Sequence, residues 1–185
     1  MVVGLQDNDI MACVKHFAAN NQETNRDFVD VQIDERTLRE IYLPAFKAAV
    51  QEGDVWSIMG SYNKYKGQQC CHNEYLLNDI LRGEWGFKGV VVSDWGGVND
   101  TKQAIHNGLD MEFGSWTNGL SWGTSNAYDN YYLAKPYSEM IRKGEIGTKE
   151  LDEKVRRILR LSFLTTMDRN RPFGSFGTEE HAIAG

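Results

Sequence analysis

Four short apolar runs, each followed by a stretch with helical spacing, limit what this chain can become more than any other feature. The runs are residues 12–18 (ACVKHFA), 56–63 (WSIMGSYN), 89–95 (GVVVSDW) and 109–113 (LDMEF). They are apolar almost throughout rather than alternating, as strands buried on both faces of a parallel sheet are. Between them, residues 34–53 place Leu38, Ile41, Tyr42, Ala45, Phe46, Ala49 and Val50 on one helical face. Asp34 suits the N-cap, Gly53 the stop, and Pro44 predicts a kink. Residues 74–85 read as a second helix stopped by Gly86, and 98–106 as a shorter third. Residues 114–128, rich in Gly, Ser, Asn and Trp, read as a long loop. Residues 130–143 and 149–165 read as closing helices, and 169–185 as a linker or frayed tail.

Strands alternating with helices define an α/β fold. A doubly wound sheet and a (β/α)8 barrel compete. A complete barrel takes about 250 residues and eight strands, whereas this chain has 185 residues and four strand-like runs. The expectation is a small open sheet, or part of a barrel whose first strands lie outside the chain.

Composition removes several functional classes. With 41% apolar and 25% charged residues, the chain can bury a core. Twenty Lys+Arg against 26 Asp+Glu give a net charge of −6, which argues against broad nucleic-acid binding. No apolar run approaches the roughly 20 residues that span a bilayer, so no membrane partner is expected. The first ten residues lack a basic start and carry Asp7 and Asp9, unlike a secretion signal. The compartment is unmarked: cytoplasmic, periplasmic or extracellular. Cys13, Cys70 and Cys71 are expected to be free or buried thiols, because a bond between neighbours is strained. His16, His72, His106 and His181 are scattered, so neither a metal site nor a cofactor is expected.

Polar residues gather at the carboxyl ends of the runs, where parallel α/β folds bind ligands. They are Lys15-His16, Ser61-Tyr62-Asn63 and Ser93-Asp94-Trp95. Asp94 leaves a buried Val90-Val91-Val92 run and precedes Gly96-Gly97. It could be a nucleophile or base, or else a helix cap or structural ion-pair partner. Trp95 could wall a sugar ring or fill core. Lys15 and His16 could donate to a polyhydroxylated substrate. Lys15 could instead form a Schiff base in a lyase or aldolase, or reach solvent. Arg26 closes the amide-rich loop 20–26, which suits hydroxyl recognition or simple solvation.

These segments resemble the family 3 glycoside hydrolases, typified by β-glucosidases. The matching stretches are KHFAANNQETNR (15–26), MGSYNKYKG (59–67), NEYLLNDILRGEWGFKGVVVSDWGG (73–97) and GLDMEFG (108–114). The stretch from LDEKVRRILR (151–160) to the Glu180-His181 pair also fits, so the resemblance covers nearly the whole chain. It implies the second half of a (β/α)8-like catalytic domain over residues 1–168, with 169–185 leading toward a second domain. It implies retaining hydrolysis of a terminal β-linked glucosyl or related unit, with Asp94 as nucleophile. Lys15, His16 and Arg26 match positions that bind sugar hydroxyls, Tyr62 a position beside the nucleophile, and Trp95 a subsite wall.

The loop AANNQETNR has no histidine after His16, which favours the glucosidase-like branch over the N-acetylglucosaminidase branch. In that favoured branch the acid/base is a glutamate of the second domain. Neither Glu23 nor Glu112 matches it, so the isolated chain is expected not to turn over alone. The alternative is a sugar-binding or structural fragment without turnover. A half-barrel with open edges is also expected to be marginally stable or to self-associate.

Overall fold

The computed structural model describes residues 1–114, 127–165, 178, 179 and 183. The proposed linker 169–185, the Glu180-His181 pair and nearly all of the proposed loop 114–128 fall outside the described residues. Helix α1 (Val2–Gln6) leads into a parallel three-stranded sheet of β1 (Cys13–Phe17), β3 (Ser57–Gly60) and β6 (Val90–Val92), in the order β1-β3-β6. Three of the four apolar runs are therefore strands of one parallel sheet, as expected. The fourth run contributes only a single parallel bridge, Val92 to Met111, because Asp110 and Glu112 are spent on other contacts. The Lys15–His16 and Phe17–Ala18 peptide bonds are cis. This is the α/β architecture of half of a (β/α)8-like barrel.

The run 34–53 is helical but not continuous. Asp34 caps α2 (Glu35–Thr37) by accepting from the Thr37 N–H at 2.9 Å and its hydroxyl at 2.8 Å. Wide turns over Leu38–Tyr42 follow, and the Leu43 N–H reaches back five residues to Leu38. Pro44, which cannot donate, opens α3 (Pro44–Gln51) rather than kinking one long helix. Tyr75–Glu84 forms a second wide-turned helix. It stops at Gly86, whose φ of +71° suits glycine, with the Phe87 N–H closing on the Leu81 carbonyl at 3.1 Å. The core lies between these helices and the sheet. Phe17, Leu38, Ile58, Leu77, Ile80 and Val91 are fully buried, and the Phe17 ring meets Phe46 and Trp85 edge-on.

A second small sheet sits at the carboxyl ends of the main strands. It joins β2 (Asp30–Val31), β4 (Lys64–Tyr65) and β5 (Gln68–Gln69). Lys66 and Gly67 both adopt positive φ in the two-residue turn between β4 and β5. Strands two residues long carry no readable periodicity, so composition gave no sign of this rim.

Three α-helices follow the sheet: α4 (Thr101–His106), α5 (Lys135–Arg142) and α6 (Lys149–Leu164). A buried charge cluster ties α6 to the sheet. The Asp110 carboxylate, with no exposed side-chain area, accepts from Arg82 at 2.6 Å, Arg157 at 2.9 Å and the Val91 N–H at 2.8 Å. The Lys154 Nζ donates to the Ala104 carbonyl at 3.1 Å and to that of Leu109. Among the described residues, no helix is long and apolar enough to cross a membrane.

Burial pushes the Lys154 ammonium from its ordinary 10.5 down to about 8. The folded chain thus binds this proton less tightly than the unfolded chain. The resulting penalty is fully present below about pH 8 and is relieved as pH rises toward 10.5. Relative to Lys154→Met, the wild-type chain should gain on the order of 2 kcal/mol between pH 7.5 and 10. Urea unfolding of both proteins at the two pH values checks this, and parallel pH dependences would refute it.

Candidate active site

Asp94 follows β6 and is nearly buried, at 9% exposure. One carboxylate oxygen, Oδ1, accepts from the Trp95 N–H at 2.7 Å. The other, Oδ2, lies 3.4 Å from His16 Nε2. The Tyr62 hydroxyl also hydrogen-bonds to Asp94. Burial first, then the Asp94 charge and that bond, push the Tyr62 phenol up to about 12. It is therefore a neutral donor at neutral pH. The carboxylate sits among groups that fix its direction, as a nucleophile or base requires.

Beside this group lies a cavity of about 450 Å3 lined by Arg26, Phe28, Tyr62, Trp95, Asn99 and Tyr132, among others. The Arg26 guanidinium stacks on the Tyr62 ring, 4.6 Å from its centroid, and pairs with Glu23 at 2.8 Å. Trp95 is 60% exposed and stacks on Phe113 at 5.7 Å with 13° between the planes. Its ring lines the cavity instead of filling the core. Gly114, at φ +58°, lies so close that a Cβ there would fall 2.0 Å from the indole.

The structure thus brings five of the six sequence-predicted residues together. His16, Tyr62 and Asp94 form one contact group, while Arg26, Tyr62 and Trp95 share the cavity wall. Lys15 stands apart. It is exposed in the middle of β1, next to His16, and makes no hydrogen bond or ion pair among the described residues. The cavity lining includes neither Lys15, His16 nor Asp94.

Two supporting residues escaped the sequence reading. Gln69 is buried, and its Nε2 donates to the Asp27 carbonyl at 3.2 Å and the Tyr62 carbonyl at 2.9 Å, tying the Arg26 loop to the Tyr62 strand end. Cys71 lies against the Asp94 turn, with the Asp94 N–H donating to its Sγ at 3.4 Å. No local signal marks either one, since both act through partners distant in sequence. Glu112 is not a free acid: it accepts from the N–H groups of Tyr132 at 3.0 Å and Leu133 at 2.6 Å. Glu23 is taken up by Arg26. Among the described residues, no group of three or more His, Cys, Asp or Glu could hold a metal ion.

Residues 1–161 match the glycosyl hydrolase family 3 N-terminal domain. The chain is 52% identical over 180 residues to β-glucosidase BoGH3A of Bacteroides ovatus, covering 97% of this chain and 24% of that protein. It is 48% identical over 112 residues to an exo-α-(1→6)-L-arabinopyranosidase of Bifidobacterium longum, covering 60% of this chain and 15% of that protein. Its structure superposes on β-glucosidase 3B of Thermotoga neapolitana in complex with α-D-glucose with a TM-score of 0.83 and 36% identity. That match covers 98% of this chain and 25% of the solved one. The chain spans about a quarter or less of the length of these proteins.

Proposed function

The chain belongs to glycosyl hydrolase family 3, and from that premise we propose that it is the nucleophile-bearing part of a retaining β-glucosidase-like enzyme. The observation that carries the reading is the buried Asp94 carboxylate, aimed by the Trp95 N–H, His16 and Tyr62 beside a sugar-sized cavity. Asp94 attacks the anomeric carbon of a terminal β-linked sugar as the aglycone oxygen leaves. The covalent glycosyl-enzyme is then opened by water, with net retention. His16, Arg26 and Lys15 hold sugar hydroxyls, Tyr62 steers the Asp94 carboxylate, and Trp95 walls the subsite. The substrate class is a β-glucoside, by likeness to the named β-glucosidases. The arabinopyranosidase relative favours a second reading at the level of the sugar, a pyranoside other than glucose.

Retaining hydrolysis needs a second carboxyl group about 5–5.5 Å from the first. Glu112 and Glu23 are both engaged elsewhere. In this reading residues 1–168 belong to the barrel domain and 169–185 connect it to the domain supplying the acid. The chain alone then forms the glycosyl-enzyme only with leaving groups that depart unaided.

Incubation with 2,4-dinitrophenyl 2-deoxy-2-fluoro-β-glucoside tests this. The expected result is addition of one fluoroglucosyl unit, mapped to Asp94 by peptide mass. A folded chain that binds glucose but takes up no label would select a sugar-binding module instead.

A further inference from the structure

Resting on the nucleophile reading, we infer that Cys71 is a positioning residue for Asp94. Its thiol relays one hydrogen bond between the ends of β3 and β6, where the backbone ladder stops. The ladder pairs Ser57 with Val90, Ile58 with Val91 and Met59 with Val92. At the same offset Ser61 would stand level with Asp94, but no backbone bond joins them. The Asp94 N–H instead donates to Cys71 Sγ at 3.4 Å, and the Cys71 thiol donates to the Ser61 carbonyl at 3.4 Å. Both are ordinary lengths for sulfur, which is a weak donor and a weak acceptor at once.

The surroundings are shaped for this one atom. A Cβ on Gly97 would fall 2.5 Å from Cys71 Sγ, and a Cβ on Gly60 would fall 2.7 Å from Cys71 Cα and 3.0 Å from Sγ. Either methyl group would displace the thiol, so two glycines leave the gap that it fills. Cys71 is fully buried, and burial holds its thiol protonated at neutral pH, so the S–H remains available to Ser61.

The relay lies on the β3 side of the Asp94 turn, where among the described residues Cys71 Sγ alone accepts from the Asp94 N–H. On the opposite side the turn is tied by Ser93 N–H to Met111 at 2.9 Å, Phe113 N–H to Ser93 Oγ at 2.8 Å and Gly96 N–H to Phe113 at 3.1 Å. Toward β3, Cys71 bridges the backbones of Asp94 and Ser61, while Tyr62 reaches only the Asp94 side chain. Because Tyr62 follows Ser61, the same thiol spaces the Tyr62 hydroxyl from the carboxylate it steers. Neighbouring Cys70 has a different task, tying Asn63 Nδ2 at 3.4 Å to the Ala18 carbonyl at 3.6 Å.

The test compares Cys71→Ala and Cys71→Ser with the wild-type full chain, using the dinitrophenyl fluoroglucoside. Alanine removes the relay, and misplacing a reacting group by about 1 Å costs about 100-fold in rate. We expect Cys71→Ala to lower the labelling rate constant by about that factor, with the reagent's dissociation constant unchanged within about threefold. Serine, which can still accept and donate, should restore the rate to within about tenfold of wild type. Labelling of Cys71→Ala at the wild-type rate, equal defects in both variants, or a change confined to the dissociation constant would overturn the proposal. Amide hydrogen exchange at Asp94 reads the relay without the reagent, and needs only the wild-type and serine chains to fold. Protection in both supports it, and rapid exchange in the wild-type chain refutes it. If the wild-type chain takes up no label, the nucleophile reading falls while this exchange measurement still decides the relay.

Discussion

Asp94→Asn is expected to take up no fluoroglucosyl label, with the labelling rate constant reduced by roughly 10^4-fold or more. At about 1.4 kcal/mol per decade this is at least about 5.5 kcal/mol of lost transition-state stabilisation. The substitution is nearly isosteric. The side-chain oxygen that accepts from the Trp95 N–H at 2.7 Å survives, so the turn should keep its shape. What disappears is the electron pair that forms the bond to the anomeric carbon. Glucose affinity should change by less than about tenfold, because Arg26, Tyr62 and Trp95 still line the cavity. Mass spectrometry of the intact chain measures the first quantity and calorimetry the second. Equal labelling of Asp94→Asn and wild type would remove Asp94 from the mechanism outright.

Asp110→Ala should lower stability by about 3–5 kcal/mol, the usual cost of stripping one partner from a buried ion cluster. The carboxylate meets Arg82, Arg157 and the Val91 N–H with no exposed area of its own. Its removal strands two guanidinium groups and one backbone donor, with the buried Lys154 ammonium adding to the repulsion. For a chain of this size each kcal/mol moves the melting temperature by about 2–4 °C, so a fall of about 10 °C is expected. The exposed pair Arg36–Glu40, 2.9 Å apart with side chains 82% and 61% exposed, provides the contrast. Glu40→Ala should cost no more than about 0.5 kcal/mol. Differential scanning calorimetry separates the two, and equal small losses would show that the Asp110 cluster is not a structural anchor.

How much could be read beforehand depended on the range of the interaction. The strands at 13–17, 57–60 and 90–92 were legible because each is a local apolar run, and the helix start at Asp34 and stop at Gly86 because each is a local cap. Grouping of the polar strand ends also followed from strand direction alone, and it gathered His16, Tyr62 and Asp94 correctly. What escaped depends on partners far apart in sequence. The Asp110 carboxylate joins residues 82, 91 and 157, and Cys71 joins residues 61 and 94. The run 109–113 shows the opposite error. Its composition suits a strand, yet Asp110 turns into the charge cluster and Glu112 holds Tyr132 and Leu133. Only Met111 is left to pair with Val92.

The strand order β1-β3-β6 has a consequence for anyone recombining homologous sequences. His16 and Asp94 come from the two outer strands and meet at 3.4 Å across the tip of the middle one. A chimera can therefore inherit both ionisable residues intact and still fail, if its crossover separates Gly60, position 71 and Gly97. These three form a unit of inheritance whose members stand well apart in the chain and carry no charge. A library designed around the polar residues alone would break that unit without altering a single residue that looks functional.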